Sequence, residues 1–297
     1  MAHDINRAST GVHLPTEVSA SIWERAQEES AVMRLATPMN LPGNGVTVRM
    51  VTGDPVANWV GETDSIPVSK GAQDKKTISA YKMGVIIPWS YEYMRDDATM
   101  YNKLVERIPG AFAKKFDATV FGVEEKPSWA TNFDQLKECP GVDLKADPWQ
   151  GLITADAMVA ENNAILNGYC ISPKAKSMLL GAVDGNKRPL FVNNVTENSV
   201  PVVLGNPTYV SRGAYKKGGV GTPETVGFAG DWNRAYYGMV ENMRFSIATQ
   251  GEIKVSEDET INLFQDDMIA LRFVIEVGFA VQDTKDFVRL TGETPSE

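Results

Sequence analysis

The spacing of hydrophobic positions changes several times along this chain, and each change marks an element. Over residues 15–36, Val18, Ile22, Ala26, Val32 and Leu35 fall on one stripe at helical spacing, with Thr16 placed to cap and Glu17 in the first turn. The stripe is narrow and the opposite face is charged, as in a helix that packs onto something else. Pro, Gly and Asn make 37–45 a loop. Next, "VTVRMV" (46–51) and "TISAYKMGVII" (77–87) read as strands. Between them, "ANWVGETDSIPVSKGAQDKK" (57–76) has no period at all. Residues 89–122 carry the longest helical signal: Tyr101, Leu104, Val105, Ile108, Phe112, Phe116 and Val120 recur every three or four residues, and Asp96 or Asp97 is placed to cap. Pro109-Gly110 sits mid-helix. An interior proline removes a backbone hydrogen bond and costs about 3 kcal/mol, so a kink or break is expected there.

The second half mixes periods. Residues 124–148 form a polar connection, and 147–168 read as a helix with Asp147 at the cap and Pro148 at the first position. A short strand at 169–172 leads into a helix over 172–184. After Pro189 the alternation becomes strand-like in "PVVLGNPTYVS", "TVGFAGDW", "RAYYGMV" and "RFSIAT". The nearly unbroken apolar run 268–282 reads as a buried strand, and the tail as loose. The order of helix, long hairpin, long helix, mixed block and closing strands is α+β with segregated elements, not an alternating βαβ sheet.

Composition narrows the choice of function. The 297 residues are 43% apolar and 23% charged, enough for a substantial core, and the net charge is -9. No basic stripe suited to gripping duplex nucleic acid is evident. No run approaches about 18 apolar residues, so no membrane-spanning helix is expected, and no signal pattern opens the chain. Cys139 and Cys170 form neither a CxxC pair nor a disulfide framework, which points to a reducing compartment.

The search for chemistry finds little. His3 and His13 are the only histidines and lie in a polar N-terminus, which argues against a histidine triad or a histidine metal site. "KKGGVGTPETVG" (216–227) has its lysines before its glycines, the reverse of a phosphate loop, and reads as a mobile surface loop. The acidic groups Asp96-Asp97, Glu257-Asp258-Glu259 and Asp266-Asp267 lack calcium-loop spacing. "GDW" (230–232) with Arg234 reads as a tight turn, with a small ligand site as the alternative. Trp59, Trp89, Tyr91 and Tyr93 have neighbours of mixed charge, which favours packing over base stacking. No catalytic residue, metal or cofactor is expected.

Shape is the more informative feature. Residues 46–87 give about 20 residues per arm, so extended arms would reach about 65 Å, whereas a compact chain of this length has a radius of gyration of about 19 Å. An isolated two-stranded hairpin is marginal in water and needs a partner surface. Either it folds back on its own domain, or it joins neighbouring copies through many small contacts that together are strong.

The stretch from Ala57 to Gly122 resembles the extended-loop and spine-helix segment of tailed-phage major capsid proteins of the Hong Kong 97 fold. The matching features are W-V-x-E before a polar loop, a lysine-containing strand into the helix, and an FD-x-x-x-FG ending. "YCISPKAKSMLLGAVDGNKRPLF" is similar to that family's axial-domain strand and helix, and "GFAGDW", "YYGMVENMRFSIA" and "NLFQDDMIALRFVIEVGFAV" to its closing strands. The resemblance implies an α+β shell protein. It would have an N-terminal arm (1–45), an extended loop (46–87), a peripheral domain with the spine helix (88–149), an axial domain (150–255), and closing strands with a tail (256–297). It implies pentamers and hexamers closing into an icosahedral head around double-stranded DNA, without sequence-specific binding and without a membrane. A portal and decoration proteins would be further partners. The arm starts close to Met1, so a separate scaffolding protein is expected. Assembly would take place in the host bacterial cytoplasm, and the product would be the virion capsid. Inter-subunit contacts are expected at Trp59, Val60, Glu62, Asp64, Lys70, Lys75 and Lys76 of the loop and at Ile22, Trp23 and Arg25 of the arm, with Trp59-Val60 anchoring the loop. Some relatives cross-link a loop lysine to an asparagine beside a glutamate. Lys70, Lys75 or Lys76 could supply the lysine, but Asp267 and Val274 stand at the other two positions, so no isopeptide bond is expected. Two rivals remain open at this point: a nanocompartment shell with an enzyme cargo, and a soluble enzyme or binding protein.

Overall fold

The computed structural model describes residues 30–41, 46–51, 58–61, 65, 68, 73–92, 98–183, 186, 188, 190–191, 202–219, 221–240, 243–255 and 260–292. In chain order the helices are α1 (Ala31–Leu35), α2 (Ala98–Val120), α3 (Pro148–Glu161) and α4 (Pro173–Leu180). The strands of the first half are β1 (Thr37–Asn40), β2 (Val46–Val51), β3 (Gln73–Ile78), β4 (Tyr81–Ser90), β5 (Gly141–Asp143) and β6 (Gly168–Ile171). Those of the second half are β7 (Val202–Val203), β8 (Asn206–Val210), β9 (Thr225–Gly230), β10 (Ala235–Met239), β11 (Arg244–Ala248), β12 (Glu252–Lys254), β13 (Thr260–Asn262), β14 (Met268–Val281) and β15 (Phe287–Thr291).

Strand β14 organises one sheet. Its apolar run pairs antiparallel with β4 along one edge, and with β11 and then β10 along the other. Helix α2 packs across this sheet through Ile108, Phe112 and Phe116, all buried. Phe116 meets Phe133 and Phe279 edge-on at 6.2 and 6.3 Å. The second sheet runs β5-β15-β9-β6-β8-β7. Both of its faces are covered, and alternate residues serve different cores. Tyr169 and Ile171 join the core under α3 and α4, while Cys170 faces the core of α2 and the first sheet. Phe121 of the segment after α2 stacks on Phe228 at 4.8 Å and ties the two sheets together.

Several expectations need correction. The helix expected over 15–36 cannot run through Ser30, whose backbone is extended (φ -82°, ψ 122°) and whose hydroxyl caps α1; residues 15–29 lie outside the described residues. The loop expected at 37–45 contains β1, which runs parallel to β10 from Thr37 opposite Tyr236 to Asn40 opposite Met239; Pro38 is tolerated because β1 is an edge strand. The single strand expected over 77–87 is two strands, because the chain breaks at Ser79-Ala80 between the hairpin and the sheet. Helix α3 stops at Glu161 rather than 168, turned by Asn163 in the left-handed region (φ 54°). Strands β5, β12, β13 and β15 were not anticipated.

Helix α2 is not broken at Pro109; it is continuous from Ala98 to Val120. Burying each of Ile108, Phe112 and Phe116 is worth roughly 1.5–3 kcal/mol, which together outweighs one proline at about 3 kcal/mol.

Candidate assembly interface

The hairpin is tied to the body at its base. Strands β2 and β3 pair antiparallel from Val46 opposite Ile78 to Val51 opposite Gln73. At the base, Ile78 is buried with Leu41 and Ala280. The chain then crosses the first sheet at Gly278, where a Cβ would lie 2.5 Å from the Ser79 carbonyl oxygen. Lys76 fastens the same point: its Nζ lies 2.5 Å from Asp134 Oδ2 and donates to the Val281 carbonyl at 2.6 Å. Asp134 Oδ2 also accepts from the Val281 amide at 2.9 Å. Asn132 adds two bonds, accepting none of them: its amide donates to the Tyr81 hydroxyl and its Nδ2 to Ser79 Oγ.

Beyond the base, three apolar side chains among the described residues stand in solvent. Trp59 is fully exposed (105%), Val68 is 87% exposed, and Val60 is at the edge of exposure. Trp59 therefore does not anchor the loop on its own chain. Of the other expected contact residues, Lys75 stands opposite Arg49 in the hairpin ladder, and Lys76 is engaged within its own chain. Glu62, Asp64, Lys70, Ile22, Trp23 and Arg25 lie outside the described residues. Asp267 closes the turn after β13 with φ 47°, and Val274 lies inside β14 opposite Gly84 and Arg244.

A carboxylate under α2 fixes where the N-terminal segment leaves the body. Asp117 is buried and accepts from Ser30 Oγ at 2.6 Å, the Ala31 amide at 3.1 Å and Ser211 Oγ at 3.0 Å, with the Val32 amide longer at 3.4 Å. Ser30 Oγ in turn accepts from the Met33 amide, and the Ser30 carbonyl from the Arg34 amide, so every first-turn amide of α1 is satisfied. Burial pushes the Asp117 carboxyl above its ordinary value, opposed by these donors. One side chain thus joins α1, α2 and the segment after β8. Charge offered no signal for it, since Asp117 is embedded in the FD-x-x-x-FG run as an ordinary helix residue.

The groups singled out for chemistry are occupied by structure. Asp231 caps the turn at Trp232–Arg234 and accepts from Asn167 Nδ2 at 2.9 Å; Arg234 donates to buried Asp286 at 3.0 Å and to the Asn163 carbonyl at 2.8 Å. The glycine-rich loop is pinned by bridges between Lys216 and Thr225 and between Gly219 and Thr222, rather than left open to an anion. Asp266 accepts from the Asn262 amide within its own turn. Both thiols are buried, and burial pushes Cys139 up to about 12 and Cys170 well above its ordinary value.

The two-sheet α+β body, with a long helix laid on one sheet and a hairpin rooted at its base, has the fold of Hong Kong 97-type shell subunits. Residues 10–292 match the phage capsid family, and the chain belongs to that family. It is 26% identical to the probable major capsid protein gp17 of Mycobacterium phage L5, over 96% of this chain and 91% of that protein. It is 25% identical to the major capsid protein of Staphylococcus phage 80alpha, over 93% and 84%. Among solved structures it resembles a chain from Microbacterium phage Oxtober96 (TM-score 0.72, 20% identity, 89% and 91% covered) and the capsid of a native GTA particle computed with C5 symmetry (TM-score 0.65, 13% identity, 90% and 91% covered).

Proposed function

We propose that the chain is the major subunit of a tailed-phage head, gathering as pentamers and hexamers into an icosahedral shell around double-stranded DNA. The observation that carries this reading is the hairpin: it is bonded to its own sheet at Ile78 and Lys76, yet it presents Trp59 with no cover. An exposed indole suits an interface, where tryptophan is enriched, and so supports a contact with a neighbouring copy. The phage relatives weigh against a nanocompartment shell. The family is one of structural shell proteins, and we read this member as having no catalytic role.

Within the shell, the part of 1–45 that precedes Ser30 acts as the arm, since 30–41 is packed into the body, and 46–78, the paired part of the hairpin with its tip, acts as the extended loop. Trp59, Val60, Glu62, Asp64, Lys70 and Lys75 meet one neighbour, and Ile22, Trp23 and Arg25 of the arm another; Lys76 serves the root instead. A separate scaffolding protein, a portal and decoration proteins complete the head, which assembles in the host cytoplasm. Deleting 61–74 tests the reading. The variant folds, by circular dichroism and a cooperative melt, but sediments as small species and shows no stable shells by electron microscopy. Normal shells from that deletion refute it.

A further inference from the structure

Between β4 and α2 lies a cavity of about 380 Å³. Small side chains leave the space: Ala111 on the helix and Ala130 beyond its end stand among larger lining residues. Met83 and Val85 line it from the strand, Phe112 and Phe116 from the helix, and Phe133 from the segment that follows. The rings hold one another. Phe116 meets Phe133 edge-on at 6.2 Å, and Tyr81 lies 6.3 Å from Phe133 and 5.5 Å from Trp129. The cavity is therefore shaped before any ligand arrives, which removes part of the ordering cost of binding. Trp129 is 61% exposed and marks the mouth.

The polar groups of the wall decide the charge of an occupant. Lys82, Lys115 and Lys126 stand among the lining residues, and among the described residues no carboxylate does. Each lysine is already engaged: Lys115 pairs with Glu124, Lys126 donates to the Phe133 carbonyl at 2.6 Å, and Lys82 stands 3.9 Å from Glu276. The Tyr81 hydroxyl accepts from the Asn132 amide at 2.9 Å. An ionised ligand gains little from cations held elsewhere, and burying its charge against apolar walls is costly. An uncharged ligand meets neither obstacle. Volume sets the size. An apolar cavity of about 150 Å³ takes one benzene ring, so a cavity about 2.5 times larger takes two to three rings, or an aliphatic body of that bulk.

We propose that the β4–α2 cavity is a binding site for an uncharged, apolar small molecule of two to three rings' bulk. Filling it restores the dispersion contacts that each wall lacks while the space is open. The site is complete within one chain and does not depend on assembly. Its strand begins at Tyr81, two residues past Ser79 at the hairpin root, so an occupant braces β4 against α2 beside that root.

Titration of dissociated chains with N-phenyl-1-naphthylamine, an uncharged three-ring fluorophore, tests this. Binding should saturate with a dissociation constant on the order of 10 µM. The probe at roughly ten times that concentration should raise the melting temperature by about 3 °C. Ala111 lines the cavity from an exposed position on α2, so Ala111→Trp blocks the space without entering the core and should weaken binding about tenfold or more. Lys114→Trp adds the same ring to an exposed position of α2 outside the cavity and should leave the affinity within about twofold. Hydrogen exchange in the bound chain should slow over 81–85 and 111–116. 1-Anilinonaphthalene-8-sulfonate, the same skeleton with a sulfonate, should bind about tenfold more weakly. Equal or tighter binding of the sulfonate overturns the uncharged class. Equal affinity in Ala111→Trp, or protection confined to other segments, overturns the site. Chains that bind no probe overturn it as a small-molecule site and leave the cavity to a protein side chain. Should Ala111→Trp not fold, the exchange map of the unaltered chain decides. None of these results bears on the shell reading, because binding is read on dissociated chains.

Discussion

Asp117→Ala removes the buried carboxylate that joins three elements. The change strips an acceptor from the hydroxyls of Ser30 and Ser211 and from the amides of Ala31 and Val32. The hydroxyls can turn toward other acceptors; the two amides cannot. A buried donor left without a partner costs about 1–3 kcal/mol, and the longer bond to Val32 contributes less than the one to Ala31. Against this, removing a buried carboxylate relieves its desolvation penalty. The net loss is about 2–4 kcal/mol, a large share of the roughly 5–15 kcal/mol that holds a typical domain folded. Asp117→Asn keeps the shape and one acceptor but turns an NH2 toward donors, so it should lose about 1–2 kcal/mol. Urea unfolding of dissociated chains measures both, and hydrogen exchange over 30–36 locates the damage. An alanine variant within about 0.5 kcal/mol of the parent, with unchanged exchange at Ala31, would refute the account of Asp117 as the joint of three elements.

Three further outcomes follow from other parts of the molecule. Burial holds the Asp117 carboxyl above its ordinary value, so the folded chain binds this proton more tightly than the unfolded chain does. Between the ordinary carboxylate value and the raised folded one, stability contributed by this group falls as pH rises, so on lowering pH through that window the parent should gain on Asp117→Asn in paired unfolding curves. Gly278→Ala places a methyl against the Ser79 carbonyl oxygen, which is backbone and cannot swing aside; a loss of about 1–3 kcal/mol and faster exchange over 73–80 are expected, and a neutral result would show that the crossing can shift. Boiling purified particles in detergent should return a monomer near 32.5 kDa, since Asp267 and Val274 stand where a cross-linking relative needs asparagine and glutamate; a covalent ladder would overturn this.

Period and punctuation made much of this fold legible. Helix α3 starts at Asp147-Pro148 and α4 at Ser172-Pro173, as their cap and first-turn residues dictate, and β14 occupies its apolar run. What escaped notice depends on partners distant in sequence. Strand β1 is made of Thr37, Pro38, Met39 and Asn40, which have no strand character of their own and pair only because β10 offers an edge. The same holds for β5, formed against β15. Ser30 lay inside a plausible helical stripe, and only the carboxylate of Asp117, 87 residues away, shows that the chain stops and restarts there. Proximity in sequence groups Lys76 with the loop lysines, but its place near the base of β3 brings it to Asp134.

That last difference bears on how a projecting hairpin can work. A loop that must reach a neighbour needs a stiff base, because an arm free to swivel at its root would lose its orientation at the tip and with it the gain from preorganisation. Here the stiffness has identifiable sources: Ile78 wedged between Leu41 and Ala280, Gly278 admitting the Ser79 backbone, and Lys76 bridged to Asp134 and Val281. The ion pair is partly exposed and by itself worth about 0–1 kcal/mol, so its role is directional more than stabilising. The root of the hairpin thus belongs to the folding of one chain, and the exposed Trp59 beyond it takes no part in that core.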